Sequence, residues 1–351
     1  MKLKTKVIRA AEDNPRTAEL LEAAACISAG GMVVFPTETV YGLGANALSA
    51  EAVSRVFRVK NRPADNPVIV HVSKREMVHD VVSEIPDVAR RLMDHFWPGP
   101  LTLVLQKSPD VPEVVTAGLD SVSVRMPSHA VALALISAAG VPVAAPSANI
   151  SGRPSITSAA EAVLELSGKV DFIIDSGRSG IGLESTVLDV RRAVPEILRP
   201  GGVTLEQLRA FLGNVVVHPA AMDRIYASPD GVPSPGMKYT HYAPQRAILI
   251  LVEYGPGTEA TVIRLCGEYR AMGKRVGLMI TDECRASGDV TLRIGGRNDG
   301  AGIARRLYSA IRELDVSGVD VIIAEGVIET DIGLAIMNRL RRAASRTEQP
   351  L

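Results

Sequence analysis

Four times in the first 200 residues, a polar loop punctuated by glycine or proline follows or flanks a short apolar run. The loops lie near residues 37–44, 60–66, 147–155 and 176–185. This pattern constrains the fold more than any other feature of the chain. Short apolar runs bounded by turn residues read as buried strands, and the amphipathic stretches between them as helices, so the fold class is α/β. Strands that share one sheet can bring their loops to a single crevice, and loops on a rigid scaffold are where binding chemistry sits.

The second loop belongs to Arg58-Val-Lys-Asn-Arg-Pro-Ala-Asp-Asn-Pro-Val-Ile-Val-His71. Val53, Val56, Phe57 and Val59 recur at helical spacing, Pro63 stops the helix, and Pro67 opens a strand over 68–72. Lys60, Arg62, Asp65 and Asn66 then lie on a loop stiffened by two prolines. A compact ammonium beside a planar guanidinium suits phosphate. The plainer alternative is a solvated helix end whose cations oppose the helix dipole.

Upstream, Asn14-Pro15 starts a helix through Ile27, and a strand over 32–35 leads into Pro36-Thr-Glu-Thr-Val-Tyr-Gly-Leu-Gly44. Ser73-x-x-Glu76 reads as a capping box opening a short helix. Trp97, after a helix over 88–96, reads as core rather than as a stacking platform. Further strands are expected over 101–105, 122–127, 141–145, 170–175 and 185–190. Arg125 falls in an apolar run, where an unpaired guanidinium is costly, so it needs an anionic partner from the protein or from a ligand. Ser176-Gly-Arg-Ser-Gly-Ile-Gly182 offers backbone N–H groups for an anion nest, though its spacing matches no phosphate-loop pattern.

Residues 1–218 read as one domain, 219–245 as a linker with little apolar periodicity, and 246–351 as a second domain. Strands expected over 247–252, 276–280 and 319–324, with helices between and after them, give that second domain a βαβ rhythm and a small parallel sheet. The linker contains Ser234-Pro-Gly-Met-Lys-Tyr-Thr-His-Tyr-Ala-Pro244, too rich in functional side chains for a passive spacer. It is expected to fold as a lid over the crevice.

Charge and composition narrow the function. Basic and acidic residues number 39 each and aromatics make up 4%, which argues against an extended nucleic-acid surface. Three widely spaced cysteines without a C-x-x-C pair argue against a disulfide framework or a zinc site and fit a reducing cytoplasm. No apolar run reaches membrane-spanning length, and residues 1–20 lack the apolar core of a signal peptide. No His/Cys cluster or nucleophile elbow is visible, so positioning and charge stabilisation of a phosphorylated substrate fit better than covalent catalysis.

The same loops carry a resemblance. Lys60-x-Arg62 with Ser147-x-Asn149 resembles the signature of the threonylcarbamoyl-AMP synthases, the YrdC-like family. Residues 36–44, Gly182-x-x-Ser-Thr-Val187 and Arg199-Pro-Gly201 are similar to the other blocks of that family, in the same order, over roughly residues 15–215. Residues 234–350 resemble the linker and C-terminal domain of the family's long form, and Val68 stands where the family often has leucine. The resemblance implies a twisted, open mixed sheet with helices, followed by a smaller Rossmann-like domain. It also implies a reaction: L-threonine, bicarbonate or CO2, and ATP give threonylcarbamoyl-adenylate and pyrophosphate. The product serves modification of the adenosine after the anticodon in tRNAs reading ANN codons.

By the same resemblance Thr39, His71, Arg125, Ala145 and Ser185 would surround threonine, with Arg125 on its carboxylate. Arg62, Asn66, Ser121, Ser147, Asn149, Ser155, Arg199 and Tyr242 would hold the nucleotide. Lys60 and Arg62 would stabilise charge growing on the phosphates, with Mg2+ brought by ATP rather than by a protein metal cluster. His71 would be a hydrogen-bonding neighbour rather than a base. The implied partners are the two substrates, CO2 and a downstream tRNA threonylcarbamoyl transferase, with little or no direct tRNA contact. Two other readings compete: an RNA-binding module without chemistry, and a carbamoyl-transfer domain, which would bring zinc-finger-like cysteine pairs that are absent here.

Overall fold

Short apolar runs, each cut off by glycine, proline or a polar residue, become the strands of two separate sheets. The computed structural model describes residues 3–15, 18–222 and 241–351. The described chain divides into two compact units, the first within residues 3–221 and the second built on 241–351, with the short segment 152–154 clustering with the second.

The first unit holds an eleven-stranded sheet. In chain order its strands are β1 (Lys6–Arg9), β2 (Val33–Phe35), β3 (Gly42–Asn46), β4 (Ile69–His71), β5 (Leu101–Gln106) and β6 (Ser121–Arg125). There follow β7 (Val143–Ala144), β8 (Phe172–Asp175), β9 (Thr186–Asp189), β10 (Glu196–Arg199) and β11 (Val216–Val217). The spatial order is β1-β8-β2-β3-β7-β4-β6-β5-β9-β10-β11. Directions are mixed: β4 and β6 run parallel, while β7 runs antiparallel to both β3 and β4. The expected mixed sheet is borne out. One face packs on Leu20, Ala24 and Ile27 of α1 (Ala18–Ser28), and the other includes Ala52 and Val56 of α2 (Ala50–Lys60). Trp97 is buried as expected, its indole N–H donating to Leu101 O at 2.7 Å.

Three local expectations are corrected. The loop over 36–44 is shorter, because Gly42–Asn46 forms β3 in a hairpin with β2. Its glycines read as a turn, yet a Cβ on Gly44 would stand 2.7 Å from Val143 Cγ1 and 2.8 Å from Phe35 Cε1, so close strand packing demands them. Helix α2 ends one turn's breadth before Pro63: Asn61 takes a left-handed conformation, φ 50°, and donates its N–H to Arg58 O. Lys60 is therefore the last helical residue, and buried, rather than part of the loop. Ser73 caps nothing; its hydroxyl turns to Met77 Sδ, and a 3-10 helix over Arg75–Asp80 begins after Lys74.

The second unit is a five-stranded, all-parallel sheet in the order β14-β13-β15-β12-β16. Its strands are β12 (Ile248–Val252), β13 (Val276–Ile280), β14 (Val290–Arg293), β15 (Val321–Glu325) and β16 (Arg346–Glu348), which bears out the expected parallel domain. Most of the expected linker and lid, residues 223–240, lies outside the described residues. Just before it, Pro219–Met222 forms a single helical turn.

Candidate active site

Arg125 ends β6 beside His71 of β4, its register partner, and is 3% exposed. Its Nε donates to Gly99 O at 3.2 Å and its Nη1 to Thr39 Oγ1 at 2.9 Å. Its Nη2 stands 2.6 Å from Glu38 Oε1, so the anionic partner demanded by the sequence comes from the loop after β2. Thr39 is itself pinned: Thr37 and Thr39 share a hydroxyl hydrogen bond at 2.8 Å, and Thr37 donates to Val40 O at 2.7 Å. Tyr41 closes the loop by donating from its hydroxyl to Gly177 O at 2.7 Å, which ties the first polar loop to the fourth.

Lys60 spends its buried ammonium on the carbonyls of Ser147 and Asn149, and Ser151 N donates back to Lys60 O at 2.9 Å. The end of α2 is thus bolted to the loop after β7. Arg62, half-buried, donates to Asn66 O at 3.1 Å, Asn66 Oδ1 at 2.8 Å and Pro67 O at 2.6 Å, closing its own loop. Asn149 donates from Nδ2 to Ile150 O at 2.9 Å.

A third group forms where β9 begins. Ser185 and Thr102 share a hydroxyl hydrogen bond at 2.8 Å. Arg199, at the end of β10, donates from Nη2 to Ser185 O at 3.0 Å and to Ser185 Oγ at 3.2 Å. Beside them Ser155 Oγ donates to Glu184 Oε1 at 2.5 Å. Gly201 makes this turn possible, since a Cβ there would lie 2.4 Å from Glu184 O and from Thr186 N.

Thr39, His71, Arg125, Ser185 and Arg199 therefore gather in one place, with Ala145 N tied to Ile69 O at 2.9 Å on the neighbouring strand. Lys60 joins Ser147 and Asn149, and Arg62 joins Asn66. One expected residue of the first unit, Ser121, stands apart from this gathering. Ser121 begins β6 and Arg125 ends it, a separation of roughly 13 Å along an extended strand. Tyr242 belongs to the second unit, where its ring lies 5.2 Å from that of Tyr308 and beneath the Arg339 guanidinium. Glu38, Thr37, Thr102 and Glu184 were not among the expected site residues. Glu38 and Thr37 sat in the first polar loop and Glu184 in the fourth, whereas Thr102 gave no signal of its own.

His71 is 4% exposed, and its Nδ1 makes no hydrogen bond. Burial, and then the charge of Arg125, press its pKa from 6.5 down to about 3, so the imidazole is neutral near pH 7. Unfolded His71 takes up its proton below its ordinary value of 6.5, and folded His71 only near 3, so stability is full above that window and lost as pH falls through it. Urea unfolding is expected to show a slope of about 1.4 kcal/mol per pH unit from this group on the acid side, a share missing in His71→Asn. Identical slopes in the two proteins would contradict the assignment.

The chain is similar to known proteins along most of its length. A family described as "Telomere recombination", spanning the Sua5, YciO and YrdC proteins, matches residues 25–201. A second, described as "Threonylcarbamoyl-AMP synthase, C-terminal domain", matches residues 203–345. The threonylcarbamoyl-AMP synthase of Pyrococcus abyssi is 47% identical over 322 residues, 92% of this chain and 93% of that one. That of Bacillus subtilis is 45% identical over 330 residues, 93% of each chain. The crystal structure of P. abyssi Sua5 complexed with L-threonine superposes with a TM-score of 0.92 at 46% identity, covering 99% of this chain and 100% of that one.

Proposed function

The chain belongs to the Sua5–YrdC family of threonylcarbamoyl-AMP synthases, in the long form with a C-terminal domain, and we propose that its first unit carries out that family's reaction. L-threonine, bicarbonate or CO2, and ATP are joined into threonylcarbamoyl-AMP with release of pyrophosphate, for modification of tRNA. The observation that carries this reading is the buried Arg125, held by Thr39 and Glu38 beside a neutral imidazole. It is a pre-set site for a small carboxylate.

Arg125 binds the threonine carboxylate, and the hydroxyls of Thr39 and Ser185, with the free Nδ1 of His71, supply partners for its polar groups. Once the amine has become a carbamate, a carbamate oxygen attacks the α-phosphate, and negative charge moves onto the departing pyrophosphate. Arg62 and Arg199 are assigned to that charge, while Lys60 acts from below by fixing Ser147 and Asn149 against the nucleotide. Asn66, Ser121 and Ser155 are further nucleotide contacts in this assignment. Among the described residues no group of three or more His, Cys, Asp or Glu side chains is arranged to cage a metal. Mg2+, brought with ATP, would be held by phosphate oxygens and water, where it would neutralise charge. No helix among the described residues is long and apolar enough to cross a membrane, and the proposed setting is the cytoplasm.

The reading is tested by following ATP-to-pyrophosphate conversion with each amino acid in turn, with and without bicarbonate. Threonine with bicarbonate is expected to give turnover. Valine, which leaves the hydroxyl's partners unpaired, should be rejected by a large factor, and serine, lacking one methyl, by only about 1–3 kcal/mol. Equal turnover of valine and threonine would remove Thr39 and Ser185 from the site, and no turnover with any amino acid would remove the synthase reading.

A further inference from the structure

Two charges at the heart of the first unit face each other without completing their hydrogen bonds. Glu38 Oε1 stands 2.6 Å from Arg125 Nη2, with the side chains 13% and 4% exposed. Yet neither Glu38 oxygen accepts a well-formed hydrogen bond, and Arg125 Nη2 donates none. The remaining groups of this cluster are settled, with Arg125 Nε and Nη1 bonded to Gly99 O and Thr39 Oγ1. The backbone that carries Glu38 is held too, its carbonyl accepting from Ile181 N at 2.7 Å. Buried carboxylates normally complete their bonds, so one whose contact here is an ion pair to Arg125 short of hydrogen-bond geometry is set for a donor that is not part of the chain.

A molecule bearing an anionic and a cationic group on one carbon would satisfy both partners, its carboxylate at Arg125 Nη2 and its ammonium at the Glu38 oxygens. An α-amino acid has this form. We propose that Glu38 is a catalytic residue, the base that holds the α-ammonium of threonine and removes a proton from it; this rests on the synthase reading above. Transfer of one N–H proton to a Glu38 oxygen leaves a neutral amine and a carboxylic acid. The nitrogen lone pair then forms the N–C bond to CO2 while one C=O π pair moves onto oxygen, and the nitrogen sheds a second proton to water to give the carbamate. Glu38 returns its proton to solvent before the next turnover. No oxidant or reductant is needed, and the CO2 is that of the overall reaction.

The charged and titratable groups facing Glu38 among the described residues are Arg125, in contact, and His129, which feels its field. On binding, Arg125 is drawn toward the incoming carboxylate, which frees the Glu38 oxygens for the ammonium.

The test is the pH profile of pyrophosphate release from ATP, threonine and bicarbonate, for the wild type, Glu38→Gln and Glu38→Asp. Glu38→Gln is expected to lose about a hundredfold in turnover near pH 7, with the deficit shrinking steadily toward about pH 10 as the free amine forms unaided. A purely structural role would leave the same deficit at every pH, and that result, or wild-type turnover near pH 7, overturns the proposal. Glu38→Asp keeps the charge opposite Arg125 and carries the test if the glutamine variant does not fold. Set back by one methylene, it is expected to lose about tenfold, and unchanged turnover would count against a base at this position. If the wild type itself releases no pyrophosphate with threonine, it is the synthase reading that fails, not the assignment of Glu38 within it.

Discussion

Lys60→Ala is expected to lower pyrophosphate release by about a hundredfold or more and to soften the first unit at the same time. The sequence places this lysine on a loop, where its loss would touch chemistry alone. It is instead the buried end of α2, and its ammonium satisfies the carbonyls of Ser147 and Asn149. Removing it strands one buried and one half-buried acceptor, at about 1–3 kcal/mol each, and frees the loop that carries three of the proposed nucleotide contacts, Ser147, Asn149 and Ser155. In a body of this size each kcal/mol lowers the melting temperature by about 2–4 °C. Calorimetry and pyrophosphate release on the same preparation check both halves. A variant that melts normally and turns over normally would show that the ammonium holds nothing that matters.

Arg125→Ala should be the most damaging single change for threonine. It removes the only guanidinium touching Thr39 and Glu38 among the described residues, and with it the proposed carboxylate clamp. The Glu38 charge would then stand in a shielded place without its partner, a loss of about 3–5 kcal/mol. Turnover is expected to fall by about a thousandfold, because a charged contact made throughout the reaction is lost. Adding Glu38→Gln to this variant separates the two effects. The double variant should regain much of the stability and none of the activity. Recovery of activity along with stability would mean that Arg125 serves only to neutralise Glu38.

Much of the architecture is legible in the chain because apolar runs between punctuation are hard to mistake. Val33–Phe35, Leu101–Gln106 and Ser121–Arg125 emerge as strands close to where they were expected. Gly42–Asn46 is hidden because glycine is selected there by contact with Val143 and Phe35, a constraint from residues distant in the sequence. The Lys6–Arg9 and Val290–Arg293 strands are half exposed at sheet edges, where apolar patterning is weak. For the site, residue types pointed to anions, and motif resemblance grouped them. What no local pattern supplies is pairing across the fold. Thr102 meets Ser185 because β5 and β9 lie side by side, and Glu38, on the loop after β2, meets Arg125 although three strands separate β2 from β6, so the need of Arg125 for an anion was visible and the identity of that anion was not.

Strand β1 has a consequence for how the molecule comes into being. Its neighbour in the sheet is β8, and beside this pair Thr5 is bonded to Val170 O across 165 positions of chain. β8 also flanks β2, so this end of the sheet has no hydrogen-bonded path between β1 and β2 until β8 has been made. At a synthesis rate of about 5–20 residues per second, the first strand waits roughly 8–33 s for its partner. During that time Val33–Phe35 has only its hairpin with Gly42–Asn46, and the apolar face of α1 has an unfinished surface to cover. Such distant pairing makes for slow folding and a long exposure to chaperones and to unwanted strand partners. The first unit is thus sealed by one of its later strands.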